Sequence, residues 1–175
     1  MKKTVDIFGI TLIFFIIYFL QSNFFIWFNI AGVMPNLFVI LVMLIGLFIK
    51  KKTGFVFGII FGLLLDLFIG LKVGLNAVSL SIVGLVSELL DKNFSKDNRI
   101  TVMLLTCVLT FLSEIIFYSL QVLFCGVDLQ IFEFIKIVFI EIIYNAFLIA
   151  IIYPLFLSLG EKIESDFTTN SFLKF

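Results

Sequence analysis

The chain has no histidine, and that absence alone removes several function classes. Histidine titrates near neutrality and is the commonest metal ligand. Without it, histidine-based acid–base catalysis, histidine-ligated metal sites and serine–histidine intramembrane proteolysis are excluded. Cysteine is scarce: Cys107 and Cys125 are the only two. They fall on one expected helix, about 27 Å apart at 1.5 Å of rise per residue, too far for a disulfide. No CxxC or zinc spacing occurs, so no metal or cofactor site is expected. Charge is balanced, with 12 basic and 12 acidic residues, which offers nothing to draw a nucleic acid. GxSxG and GxGD motifs, Pro-rich linkers, internal repeats and low-complexity tracts are missing as well.

What the chain does have is apolar mass. Hydrophobic residues make up 62% of its 175 positions, 25 of them Phe, and the mean hydropathy is +1.26. Soluble domains carry about 45–50% apolar residues. A β-barrel would show alternating segments of about 10 residues, whereas these runs are continuous. The expected class is an all-α polytopic membrane protein, with one bundle over residues 1–160 and a polar tail over 161–175. Met1-Lys2-Lys3 before an apolar run imitates a signal peptide. No A-x-A cleavage site follows, so it reads as a retained first helix.

Six transmembrane helices are expected, at about 5–28, 35–49, 54–71, 75–90, 100–124 and 131–159. Gln21-Ser22-Asn23 marks a far interface in the first, with Trp27 at headgroup level. The second opens at Pro35-Asn36, where a proline is tolerated in a first turn. It is shorter than the roughly 20 residues that normally span, so it either begins earlier, at Ala31, or crosses a locally thinned bilayer. The basic residues sort by side. Lys2, Lys3, Lys50, Lys51, Lys52, Lys92, Lys96, Arg99, Lys162 and Lys174 fall on the side of the N-terminus, leaving only Lys72 and Lys136 opposite. By the positive-inside rule both termini are cytoplasmic. The expected location is a plasma membrane, with lipid as the main surroundings.

The chain is organised around residues 54 to 77, GFVFGIIFGLLLDLFIGLKVGLNA. Gly54, Gly58, Gly62, Asp66, Gly70 and Gly74 recur every four residues, and positions four apart share a helix face. In lipid such a stripe admits a close backbone neighbour. It serves either as a packing face within the chain or as a seat for a partner helix. Asp66 lies within the apolar run, and a carboxylate there must face protein, water or a partner charge. Glu114 and Glu141 are also placed within apolar runs, with Thr106, Thr110 and Ser113 near the first and Asn145 one turn after the second. These acids either line a polar cavity or bond helices together, neutral or paired to Lys136 or Lys72. Glu88 is read as an interfacial ion pair with Lys92.

Pro35-Asn36-Leu37, then GxxxGxxxGLLLD over Gly54 to Asp66, then Gly74-Leu75-Asn76-Ala77 resemble the rod-shape-determining protein MreD family. The resemblance covers roughly residues 30 to 90. It implies a non-enzymatic plasma-membrane component of the bacterial cell-elongation machinery, required for shape and lateral peptidoglycan synthesis. The implied partner is MreC, a single-span protein, and through it MreB and the peptidoglycan-synthesis enzymes. The stripe with Asn76 is then a packing or partner interface. A second resemblance, in size, six spans and topology, is to the substrate-binding S component of an energy-coupling-factor vitamin transporter. Such proteins carry a small-residue AxxxA stripe on the first helix. Here that helix is bulky, and an Ala146-x-x-x-Ala150 pair falls on the sixth instead.

Overall fold

The computed structural model describes residues 2–49, 52–69, 72–91 and 98–169. Gly70, Lys92 and residues 170–175 fall outside them. The described residues form six helices and no strand. Helix α1 is Lys2–Phe19; a π-helical turn, Leu20–Phe24, carries it on to a last helical turn at Phe25–Trp27. Helices α2 (Leu37–Phe48), α3 (Thr53–Ile69), α4 (Leu75–Asp91), α5 (Arg99–Cys125) and α6 (Ile131–Thr169) follow. Gln21-Ser22-Asn23 therefore does not end the first helix. Asn23 turns its amide back onto the Phe19 carbonyl at 3.0 Å, and Gln21 turns inward. Beyond Trp27 the chain reverses in a two-residue turn, Ile30 and Val33 exchanging both backbone hydrogen bonds at 2.9 Å. Ala31 and Gly32 have φ of 52° and 83°, the positive pair that a type I′ turn demands.

Helix α2 lies at the centre. Every residue from Leu37 to Phe48 is buried, and a helix apolar all round is stable only when covered all round. Its 12 residues rise about 18 Å. It begins at Leu37 and not at Ala31, and the rest of the bundle covers it along its whole length. Phe14 of α1 is fully buried against Phe38 of α2 and Phe61 of α3, with ring centroids 5.2 and 4.9 Å apart.

Helices α3 and α4 make the most extensive contact in the fold. Among the described residues two helices are long and apolar enough to cross a membrane, at Arg99–Cys125 and Ile131–Pro154. Helix α6 continues past that window to Thr169, with Pro154 inside it. The polar tail expected from residue 161 is thus helical as far as Thr169. A proline removes the bond to the carbonyl four residues back. That carbonyl belongs to Ala150, and Arg99 at the start of α5 donates to it.

Candidate functional site

Two groups of polar side chains lie inside this apolar bundle, and each gathers at the N-terminus of a helix. The first N–H groups of a helix have no acceptor within it. An N-cap side chain normally supplies one. At the start of α4 the capping position is Gly74, which has no side chain and sits at φ +112°. Asp66 of α3 takes the role from across the turn. Its Oδ2 accepts from Gly74 N at 2.7 Å and Ala77 N at 3.3 Å, and its Oδ1 from Asn76 N at 3.0 Å and Asn76 Nδ2 at 2.8 Å. The α4 dipole adds its positive end. Asp66 is only 2% exposed, and all four of these contacts come from N–H groups. Lys72 does not pair with it and donates to the Phe124 carbonyl instead.

Gly54, Gly58 and Gly62 lie against neighbouring backbone of the same chain. A Cβ on Gly54 would meet the Gly84 carbonyl oxygen at 2.7 Å, one on Gly58 the Leu80 carbonyl oxygen at 2.4 Å, and one on Gly62 the Cα of Ala77 at 2.3 Å. The face that could have seated a partner helix is therefore occupied by α4. Gly74 is no part of that crossing, for a Cβ there meets nothing within 4 Å; its place is the cap. Two glycines complete the contact and went unread in the sequence. Gly84 of α4 answers Gly54, and Gly46 of α2 answers Gly84 and Gly54. Their signal was available: a glycine inside an apolar helix costs about 1 kcal/mol against alanine and usually has a packing reason.

The second group surrounds the start of α2. Asn36 caps that helix by accepting from Val39 N at 3.3 Å. Its own N–H donates to Asn145 Oδ1 at 2.9 Å, and Leu37 N donates to Gln21 Oε1 at 3.1 Å. Asn145 Nδ2 donates to Thr110 Oγ1 at 3.0 Å, and Tyr144 ties α6 to the Phe28 carbonyl at 2.8 Å. The carboxyl groups of Glu114 and Glu141 meet each other and the Asn36 side chain. Glu141 is 5% exposed, and its Oε1 has no hydrogen-bond partner. Glu114, Glu141 and Asn145 thus come together, while Asp66 and Asn76 stand apart at the other cap. Gln21 and Asn36 belong to the cluster and were not foreseen in it.

Ser79 of α4 reaches the carbonyl and hydroxyl of Ser113 on α5, at 2.9 and 2.8 Å. Glu88 accepts from the Lys52 N–H; its expected partner Lys92 lies outside the described residues. Two carboxyl groups in contact repel each other when both are ionised, and a proton or a cation between them relieves that repulsion. Among the described residues no three His, Cys, Asp or Glu side chains gather to hold a metal ion.

A family model described as rod shape-determining protein MreD matches residues 2–163. No curated protein and no solved structure matches the chain. The likeness to an S-component bundle therefore has no support from a known structure.

Proposed function

Since this chain belongs to the rod shape-determining protein MreD family, which places it in bacterial cell-shape determination, we propose that it is a non-enzymatic, multi-pass scaffold of the cell-elongation complex. The observation that carries this reading is the family match over residues 2–163. In this reading all six helices sit in the plasma membrane with both termini cytoplasmic, because the basic residues crowd the side of the N-terminus. The two longest apolar segments, 27 and 24 residues, rise about 40 and 36 Å and exceed a hydrocarbon core of about 30 Å. The others cross only as parts of a bundle.

The scaffold works by contact, with an MreC-like single-span protein as first partner and MreB and the peptidoglycan-synthesis enzymes beyond it. The glycine stripe is not the place of that contact, being filled by α4. The partner meets the outward faces or the rims of the bundle. Conditional depletion in a rod-shaped host should give rounded, widened cells, and the single-span partner should co-purify in mild detergent. Depleted cells that keep their shape and lose uptake of one vitamin would replace the scaffold with a transport component.

A further inference from the structure

A cavity of about 180 Å³ opens where α5 ends and α6 begins. Glu114, Glu133 and Asp128 line it, and none of its lining residues is basic. The Tyr118 and Phe134 rings form part of its wall and stack, with centroids 4.5 Å apart and planes at 17°. Tyr118 is fixed there: its hydroxyl donates to the Asp128 carbonyl at 3.3 Å and accepts from Gln130 N at 2.8 Å. Next to Glu114, Glu141 is 5% exposed with Oε1 unpartnered. The chain has thus built an acidic, aromatic-walled space, and one carboxyl group that lines it, that of Glu114, touches a second buried carboxyl group with an unsatisfied oxygen.

We propose that this cavity receives the guanidinium or ammonium end of a basic side chain carried by a partner protein. Carboxylates and aromatic faces together are the surroundings such groups favour. Among the described residues no three-ligand cluster points to a metal ion instead. A lipid amine fits less well. Its phosphate would stand close behind the ammonium, facing Glu133 and Asp128 with no basic residue to receive it. The identity of the donor as a protein rests on the scaffold reading; the chemistry of the cavity does not.

The test uses the purified full chain in nanodiscs of phosphatidylglycerol, with dicyclohexylcarbodiimide as the carboxyl reagent and peptide mass spectrometry as the readout. Methylguanidinium chloride is the probe. With a Kd of about 2 mM, modification of Glu114 at about 20 mM probe slows about tenfold, while equal sodium chloride leaves it unchanged. Glu133→Gln, a change at an exposed position, should reduce that protection about threefold, roughly the loss of one exposed ion pair. Equal protection by sodium chloride, or none by methylguanidinium in the monodisperse wild-type protein, would overturn the site. Protection of Glu114 by phosphatidylethanolamine discs without added probe would overturn the protein donor in favour of a lipid. Normal cell shape after depletion would remove the scaffold reading and leave the labelling result standing, so the two failures are distinguishable.

Discussion

Asp66 and Glu141 are both carboxyl-bearing residues in apolar helices, and the fold treats them in opposite ways. Asp66 is saturated by four N–H donors, whereas Glu141 keeps one oxygen unpartnered. The difference sets what each substitution does. Asp66→Asn retains one acceptor oxygen and turns an NH2 group towards N–H donors, leaving Gly74 N and Ala77 N without a partner. It should lower folding stability by about 1–3 kcal/mol, the cost of an unsatisfied buried donor. Asp66→Leu strands all four donors and should cost more. The check is the folded, monodisperse yield of each variant and its midpoint in a detergent-denaturation series. A Leu variant as stable as wild type would mean that the cap contributes nothing. The position of Asp66 on the stripe was legible in the sequence, as was the GLNA motif that follows. Its role was not, because capping depends on how the start of α4 is brought back against α3, and no side-chain pattern encodes that reversal.

At the scale of elements, the α3–α4 crossing depends on glycine. In lipid the hydrophobic effect gives helices no reason to associate, and close backbone approach takes its place. Gly62→Ala would set a Cβ 2.3 Å from the Cα of Ala77, where backbone cannot yield cheaply, so a loss of about 1–3 kcal/mol is expected. Gly9→Ala is the control. Nothing lies within 4 Å of a Cβ there, and alanine's helix propensity should leave stability equal or raised by up to about 1 kcal/mol. Equal losses at both positions would show that the stripe is not a contact. The pairing of Arg99 with Pro154 gives a second test. Arg99→Ala should cost about 1 kcal/mol, a typical net hydrogen bond, when the Ala150 carbonyl has no other donor. In a Pro154→Ala background that carbonyl regains a backbone N–H, and the cost should shrink towards zero. A double-mutant cycle showing no coupling would separate the arginine from the proline. The sequence offered the four-residue stripe because helical period is local. It did not offer Arg99 as a substitute donor, because the two residues meet only once α5 and α6 have packed.

At the scale of the whole molecule, the arrangement turns on α2. Its apolar run was plain in the sequence, and the earlier start at Ala31 is set aside by a helix that begins at Leu37. A run apolar on every side looks the same whether lipid or protein covers it, so burial could be read only from the assembled bundle. The six-helix count followed from the apolar runs, and Asn145 one turn after Glu141 followed from helical spacing; the meeting of that pair with Glu114, apart from Asp66, did not. Nor did their convergence on Asn36 and Gln21, since it requires the turn at Ala31–Gly32 to bring the start of α2 beside α6. Orientation is checked by cysteine labelling after replacement of Cys107 and Cys125. An impermeant thiol reagent on intact cells should reach cysteine at Asp128 and miss it at Lys52 and Asn98. Burial of α2 is checked with a lipid-borne photoreactive carbene. It should modify exposed positions of the long helices, such as Leu104, Val108, Phe139 and Phe147, and spare Leu41, Val42, Met43 and Leu44, each 2% exposed or less. Labelling of those α2 positions at the rate of α5 would show that lipid reaches the second helix. The central place of α2 would then give way to a peripheral span.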